Sequence, residues 1–507
     1  MPKKFSNRLL KFCWSMNNRG EYTVVCNLKI FIGVKMMKRF LIICSLIIFV
    51  FGCGSSAKSF RSDPPNAEPI PNSKIGEYQS FLLDNGLRVF VVEDHKLPKV
   101  SMQLFVDYFP VLEKDAAGLQ AITGSLIKAG TEKRSKDDID REIDFIGASF
   151  NTNSRGFYAS ALSKHVDKLF ELSSDVLLNP IFPQDELLKL KKQMISELEA
   201  EKEDPEAISS KVGRALCFGK DHPYGEIITE KSVKNITREK CAGFYSDHFN
   251  PHSSYLIIVG DITKEEAIPL AQKYFGGWKD FTLSEEMPKK TNSPLGIQIS
   301  FVEKKESVQS VITVIYPVDL KPWDKDLIKT RVMNFILGGG GFSSRLFKNL
   351  REDKGYTYSI GSNLIEDRFV GNFIVEASVR NSVTSDAILQ ILSEMKNIKL
   401  KNIPSKELVN IINQMTGNFT LMLEDPKVVG RFALTIARFN LPKDYYSTYV
   451  EKLNKITAKD IKDAAQKYLN PDDTHILVVG DESVVDELCK IDSDGKIDVL
   501  RSADYGL

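Results

Sequence analysis

The strongest constraint on the fold is a segment that occurs twice in the chain. The stretch "NPHSSYLIIVGDIT" begins at Asn250, and "NPDDTHILVVGDES" begins at Asn470, 220 residues later. In each copy an Asn-Pro turn leads into a run of β-branched residues that ends in Gly-Asp, a pattern typical of a strand bounded by turns. Self-similarity at this spacing, in a chain of 507 residues, predicts two related domains.

The regions around the repeat predict the fold class. Near the start, "GEYQSFLLDNGLRVFVVED" has the form of a hairpin around an Asn-Gly turn, and "SMQLFVDYFP" adds a third strand. In the second half "GIQISFVEK" and "SVQSVITVIYPV" take the same place, and helical periodicity follows in both halves. Strands in runs followed by helices predict an α+β fold of two duplicated domains, each an antiparallel β-sheet packed with helices.

The N-terminal region has the features of an export signal. Lys38 and Arg39 precede an uncharged, largely apolar run from Phe40 to Phe51, and Cys53 follows Gly52. This resembles a bacterial lipoprotein signal, in which the cysteine carries the lipid, and it predicts a lipid-anchored protein of the bacterial cell envelope. A plain secretory signal with an incidental cysteine is the alternative.

We place the domain boundaries where composition and repeat change. The prediction comprises an upstream extension outside the mature protein, the lipoprotein signal, a flexible tether, the N-terminal domain, a linker, the C-terminal domain and a tail (residues 1–36, 37–53, 54–75, 76–280, 281–295, 296–497 and 498–507).

Charge and cysteine content exclude several classes of function. The 68 basic and 67 acidic residues nearly cancel, and no basic patch with interleaved aromatic residues occurs, so no nucleic-acid partner is expected. Beyond Cys53, three cysteines remain without close or C-x-x-C spacing, so no disulfide framework is indicated.

A run of four glycines raises the question of a phosphate loop, and its members are Gly338, Gly339, Gly340 and Gly341. Phe342 follows the run, and the Lys-Ser/Thr of a phosphate loop is missing. We therefore predict that the four glycines form a flexible loop before a helix.

The helix after the glycines, "RLFKNLREDK", would end at Gly355 and bring Arg351 towards Tyr358 on the next strand. Both side chains are donors suited to a peptide carbonyl or a developing oxyanion. The alternative is a surface arginine and a tyrosine at the edge of the core.

These motifs, together with the duplication, resemble the insulinase/pitrilysin-type zinc peptidases, the family of the processing peptidases. The glycine run, "SRL", the arginine and "GYTYS" stand in the second of two duplicated domains, and the resemblance extends from Gly76 to about Leu488. It implies that Arg351 and Tyr358, seven residues apart, bind substrate from the C-terminal half.

Peptide-hydrolysing members of that family carry His-x-x-Glu-His on a helix of the first domain, where the histidines bind zinc and the glutamate activates water. The corresponding segment here is "AGLQAITGSLIKAGT", with Ala121 and Ser125 at the ligand positions and Gly124 at the base position. We therefore expect no catalytic residue and no metal in this chain alone. The downstream glutamate ligand of the family has three candidates here: Glu197, Glu199 and Glu201.

The six histidines offer no replacement zinc motif. His248 and His252 have i, i+4 spacing, but Asn250 and Pro251 between them break a helix, so both are predicted to be turn residues.

The leading hypothesis is a non-catalytic, substrate-binding subunit of a heterodimeric zinc metallopeptidase. A partner of the same family would bear the zinc motif, the substrate would be a peptide or an unfolded polypeptide, and the lipid anchor would attach the complex to the membrane. Two alternatives stay open: a scaffold lipoprotein without proteolysis, and an active metallopeptidase with an unrecognised metal site.

Overall fold

The computed structural model describes residues 75–281 and 286–506. Cys53, the predicted extension and signal, and all but the last residue of the predicted tether lie outside the described residues. Within the described ranges, no helix is long and apolar enough to cross a membrane.

Each half of the chain builds a six-stranded sheet. The N-terminal sheet has the order β1-β2-β6-β3-β5-β4, and its strands are β1 (Gln79–Leu82), β2 (Arg88–Glu93), β3 (Lys99–Val106), β4 (Ser149–Asn153), β5 (Gly156–Leu162) and β6 (Ser254–Gly260). The C-terminal sheet has the order β12-β7-β11-β8-β10-β9, and its strands are β7 (Ile297–Glu303), β8 (Gln309–Val318), β9 (Thr357–Ile365), β10 (Gly371–Arg380), β11 (Thr474–Gly480) and β12 (Asp498–Val499).

The two copies of the repeated segment take the same place in the two sheets. Strand β6 lies between β2 and β3, and β11 lies between β7 and β8. Both β6 and β11 are parallel to one neighbouring strand and antiparallel to the other. The predicted α+β class and duplication are confirmed, but the sheets are mixed, because a strand inserted between two antiparallel neighbours must run parallel to one of them.

In both halves, helices connect the strands along the chain. The N-terminal helices are α1 (Leu119–Leu126), α2 (Lys136–Phe145), α3 (Val166–Leu178), α4 (Gln184–Glu201), α5 (Pro205–Phe218), α6 (Glu230–Lys234), α7 (Arg238–His248) and α8 (Lys264–Phe275). The C-terminal helices are α9 (Leu327–Asn334), α10 (Arg345–Phe347), α11 (Thr384–Leu400), α12 (Ser405–Met422), α13 (Pro426–Phe439), α14 (Tyr449–Asn454), α15 (Ala458–Tyr468) and α16 (Val485–Leu488). Two π-helical turns, Phe335–Gly339 and Lys348–Asp353, continue α9 and α10.

The two halves exchange one helix each. Helices α5 and α13 begin alike, with Asp204 and Asp425 each accepting a bond from a backbone N–H before a proline at the first turn. Helix α5 packs its apolar face on the C-terminal sheet, where Ile208 and Val212 lie in one buried cluster with strand residues of that sheet. Helix α13 packs on the N-terminal sheet in the same way. Burial of these faces joins the halves into one unit.

An ion-pair network also connects the halves. Asp107, directly after β3, is nearly buried and lies 2.7 Å from the Nη2 atom of Arg368 and 2.9 Å from the Nε atom of Arg438. A buried carboxylate with two guanidinium partners is compensated, and loss of Asp107 would leave both guanidinium groups without this carboxylate.

The predicted tail belongs to the body of the protein. Strand β12 is the sixth strand of the C-terminal sheet and runs parallel to β7. Tyr505 is buried in the cluster that joins α5 to the C-terminal sheet. The Nζ atom of Lys220 lies 3.7 Å from the centre of the Tyr505 ring. The sequence lacked a strong strand signal here because a two-residue strand has no detectable period.

Candidate functional site

The helix that would carry the zinc motif is present and well capped. Gly118, with a φ of 102°, precedes α1, and the carboxylate of Glu113 accepts bonds from the backbone N–H groups of Gly118, Leu119 and Gln120. Burial raises the pKa of Glu113 above its usual value, against those stabilising bonds. The scaffold of the family's metal helix has therefore been kept.

The functional positions of that helix do not fit a zinc ion. Ala121 and Ser125 are exposed, and the hydroxyl of Ser125 donates back to the carbonyl of Ala121 at 3.1 Å. A Cβ atom on buried Gly124 would fall closer than 3.0 Å to backbone atoms of both Asn153 and Ser154. The backbone after β4 has thus closed over the place where a glutamate side chain would leave the helix.

Among the three candidate glutamates, the structure distinguishes Glu201. Glu197 accepts a bond from Gln193, and Glu199 accepts one from Lys202. Glu201 lines the same cavity as Ala121, a space of about 570 Å³. Lys211 also lines this cavity, and its Nζ atom lies 2.9 Å from the carboxylate of Glu201. A carboxylate from the expected ligand region is therefore still present, but it is paired with an internal cation.

In the described part of the chain, no group of three or more His, Cys, Asp or Glu side chains is arranged to hold a metal ion. The His248 ring is stacked on Phe244, and its Nδ1 atom is hydrogen-bonded to the carbonyl oxygen of Phe244. His252 pairs with Asp280. His252 lies in the short 3₁₀ turn Pro251–Ser253, but His248 is the last residue of helix α7, so the prediction that both are turn residues is wrong for His248. Burial lowers the pKa of His248.

A cluster of Ser163, Asp261 and His95 on the surface does not form a nucleophilic triad. Both Ser163 and His95 bond to Asp261, at 2.8 and 2.7 Å. Because the carboxylate stands between serine and histidine, the imidazole is not placed to take a proton from the hydroxyl.

In the C-terminal half, Arg351 and Tyr358 come together as the sequence predicted. The guanidinium carbon of Arg351 lies 4.6 Å from the centre of the Tyr358 ring. It also lies 4.7 Å from the ring centre of Phe347 and 5.4 Å from that of Phe342. These contacts are of the cation–π type, in which the ring faces attract the guanidinium and hold it in place.

The donors of this pair are available to a ligand. Within residues 75–281 and 286–506, the guanidinium of Arg351 and the hydroxyl of Tyr358 have no hydrogen-bond or ion-pair partner. Tyr358 is 83% exposed and Phe342 is 71% exposed. A stacked guanidinium with free N–H groups can bind peptide carbonyl or carboxylate oxygens, and the exposed rings can pack against a side chain.

Two backbone irregularities aim these side chains. Arg351 lies in the π-helical turn Lys348–Asp353. On β9 the pairing register with β10 shifts, so that Tyr358 and Ser359 together face a single residue, Ser378. Such insertions rotate or bend the chain locally and are common at functional sites.

The four glycines form helical turns rather than an irregular loop, which corrects the predicted conformation. Gly338 and Gly339 belong to the π-helical turn Phe335–Gly339. Gly340 ends that turn, and its backbone N–H donates to the carbonyl of Phe335 at 2.9 Å. Gly341 begins a short 3₁₀ turn with a φ of 57°. A run of glycines lacks helix propensity, so the sequence favoured a loop, but backbone bonds to α9 and packing hold the turns in place.

Close packing explains two of these glycines. A Cβ atom on Gly338 would lie 2.5 Å from the backbone nitrogen of Ser362 on β9. A Cβ atom on Gly340 would lie 2.6 Å from the carbonyl oxygen of Phe335, the group that its own N–H bonds. Glycine at 338 thus lets helix and strand approach, and glycine at 340 lets the π-helical turn close. The predicted flexibility of the run stays a prediction.

Lys211, the partner of Glu201 in the N-terminal half, is a residue of the site that the sequence analysis did not identify. It lies on α5 in an apolar stripe formed by Ile208, Val212 and Ala215, and its side chain is 9% exposed. A lysine within such a stripe is the signal that could have found it, because buried lysines are rare unless they are paired.

Comparison with known proteins places these observations in one family. The model described as Insulinase (Peptidase family M16) matches residues 88–218, and the model described as Peptidase M16 inactive domain matches residues 235–415. Together they match more than half of the chain.

Individual proteins agree with this match. An uncharacterized zinc protease of Rickettsia felis is 24% identical over 411 residues, covering 78% of this chain and 96% of that protein. The peptidase M16 inactive domain from Pseudomonas fluorescens superposes with a TM-score of 0.72 at 22% identity, covering 80% of this chain and 98% of the other.

A larger structure is also similar. The periplasmic protease PqqL from Escherichia coli has a TM-score of 0.68 at 14% identity, and the match covers 83% of this chain but 48% of PqqL. Two family models, the duplicated sheets and the altered zinc helix lead to one conclusion. The chain belongs to the insulinase family of peptidases, peptidase family M16, and it is a member that lacks the zinc motif.

Proposed function

We propose that this chain is the non-catalytic, substrate-binding subunit of a two-chain zinc peptidase. The observation that carries the proposal is the stacked, unpaired guanidinium of Arg351 beside exposed Tyr358. The chain keeps this donor pair while Ala121, Gly124 and Ser125 provide neither ligand nor base. A partner of the same family would supply zinc and the base, and this chain would hold the peptide.

The length of the chain is consistent with this arrangement. The match with PqqL covers 48% of that protease, and we propose that a second chain takes the place of the remainder here. An extended peptide between the two would be gripped through its carbonyl groups by Arg351 and Tyr358.

The test uses the full chain mixed with a relative from the same genome that bears an intact His-x-x-Glu-His. Hydrolysis of a fluorogenic peptide library is expected from the mixture and not from this chain alone. Arg351→Ala is expected to lower kcat/KM of the mixture by about 10²-fold, and Tyr358→Phe by about tenfold, because carbonyl-binding donors are lost.

Matched controls are Arg141→Ala, a 73% exposed arginine side chain on α2, and Tyr78→Phe. If Arg351→Ala and Tyr358→Phe behave like these controls, the substrate-binding role is wrong. A mixture that hydrolyses nothing supports the scaffold alternative, and stoichiometric zinc in the isolated chain would support an unrecognised metal site.

We further propose that Cys53 carries a lipid that attaches the chain to the bacterial cell envelope. The apolar run before it and the Ser- and Pro-rich stretch after it support this proposal. Metabolic labelling with a palmitate analogue is expected to mark the wild-type chain and not Cys53→Ala. A mature N-terminus before Cys53 would exclude the anchor.

A further inference from the structure

We propose that the ammonium group of Lys211 takes the charge-neutralising place of the metal in the N-terminal half. The positive charge of Lys211 compensates the Glu201 carboxylate in the cavity lined by Ala121, a former zinc-ligand position. This internal cation excludes zinc independently of the lost histidines. The inference concerns this chain's own residues and does not depend on a peptidase partner.

The burial of Lys211 is the first observation. Its side chain is 9% exposed, and its Nζ atom is shielded from solvent within the folded body. A buried ammonium is costly unless a carboxylate compensates it. Glu201 is the carboxylate that does so, with 2.9 Å between Nζ and an oxygen of Glu201, and no other polar partner exists in the described residues.

The position of the pair is the second observation. Ala121, Glu201 and Lys211 line one cavity, so the ammonium and its carboxylate partner share that cavity with the first former ligand position. Helix α5 fixes Lys211 there, because Ile208 and Val212 on the same helix are buried against the C-terminal sheet. The backbone of Lys211 therefore cannot move away from the pocket without loss of packing between the halves.

Electrostatics link the pair to metal exclusion. The Glu201 carboxylate, whose side chain is 42% exposed, already pairs with the Lys211 ammonium, and a divalent ion placed beside that ammonium is repelled by its charge. Zinc could bind Glu201 only after Lys211 had lost its partner. Restoring the histidines alone should consequently fail to restore tight zinc binding.

The experiment measures Zn²⁺ binding to the full chain in detergent by calorimetry. Ala121→His/Ser125→His is expected to bind zinc weakly, and addition of Lys211→Met should tighten binding at least tenfold. Lys211→Arg in the same background should give no gain, because the positive charge stays. Lys234→Met, a surface lysine paired with Glu230, is the matched control.

Equal zinc affinity with and without Lys211→Met would overturn the proposal, as would tight binding by the two-histidine variant alone. A second measurement needs no metal. Thermal unfolding of Lys211→Met, Glu201→Gln and the double variant should be non-additive, because each single variant orphans one member of the pair. Additive losses would also overturn the proposal.

Discussion

The same structural unit, a helix that ends at a left-handed glycine and leads into an edge strand, occurs in both halves with different detail. In the N-terminal half, regular helix α2 ends before Gly147, which has a φ of 61°, and β4 pairs with β5 without a break. In the C-terminal half, the helix from Arg345 contains a π-helical turn, ends before Gly355 with a φ of 62°, and β9 carries a register shift.

A duplicated unit can thus acquire a site through small local insertions. One extra residue in the helix and one in the strand redirect Arg351 and Tyr358 towards each other, whereas the regular N-terminal unit presents no such pair in the described residues.

The arginines of the two units differ as well. Arg134, next to α2, pairs with Glu142, Glu171 and Asp175, whereas Arg351 is held by aromatic rings and keeps its donors free. The first arginine stabilises the fold, and the second is suited to a ligand.

The largest effect is expected when the N-terminal unit is made to resemble an active one. Gly124→Glu should destabilise the chain by about 3 kcal/mol, because the side chain would meet the backbone of Asn153 and Ser154. The measurement is urea denaturation. Gly243→Ala, in helix α7 with nothing within 4 Å of its added Cβ, is the control and should be neutral or slightly stabilising. A stable Gly124→Glu protein would show that the closure is not rigid.

The exchanged helices give the second test. Gly430→Ala on α13 places a Cβ 2.6 Å from the Cγ2 atom of Ile257 in the N-terminal sheet and should cost about 2 kcal/mol. Gly213→Ala on α5 meets Thr313 only at 3.5 Å, so it should gain up to about 1 kcal/mol of helix propensity. Equal unfolding midpoints for the two variants would contradict this asymmetry between the halves.

Arg351→Lys sharpens the contrast between a stacked and a salt-bridged arginine. An ammonium cannot stack flat against the rings of Phe347 and Tyr358 or present a planar fork of donors, so hydrolysis by the mixture with the zinc-bearing relative should fall about tenfold. Arg141→Lys should leave the rate unchanged. If Arg351→Lys retains full activity, charge alone is sufficient at this position.

The smallest effect concerns pH. Burial lowers the pKa of His222 and His248 in the N-terminal half and of His475 in the C-terminal half. These groups are neutral when folded, while the unfolded chain takes up protons near pH 6.5, so stability is complete above about pH 7 and falls on acidification. His475→Gln should make this fall in stability shallower, as measured by urea denaturation at neutral and at acidic pH.

His95 provides the opposite sign. Its hydrogen bond with Asp261 raises its pKa, so its contribution is present at low pH and is lost as the pH rises. His95→Gln should therefore steepen the loss of stability on acidification, as measured by urea denaturation at about pH 7.5 and about pH 5.5, on either side of the ordinary histidine pKa. An unchanged pH profile in both variants would show that other groups control acid stability.

Several features were predictable because they depend on local pattern or residue identity. The repeat at Asn250 and Asn470 indicated the duplication, and strand and helix periodicity indicated the α+β class. The loss of zinc ligands on α1 could be read once the resemblance located the helix. The helical pattern before Gly355 and the strand pattern after it placed Arg351 at a helix end and Tyr358 on the next strand, and the structure brings them together.

The tertiary structure alone decided the features that depend on contacts between distant segments. The sequence by itself determined which chemical groups the chain has and that they lie in two related halves, because residue types and periodicity are local. It could not show that the backbone near Ser154 closes on Gly124, that Lys211 neutralises Glu201, or that α5 and α13 are exchanged. A register shift or a π-helical turn, such as the one that Gly340 ends, leaves no hydrophobic period of its own, because each is stabilised by packing against neighbouring elements.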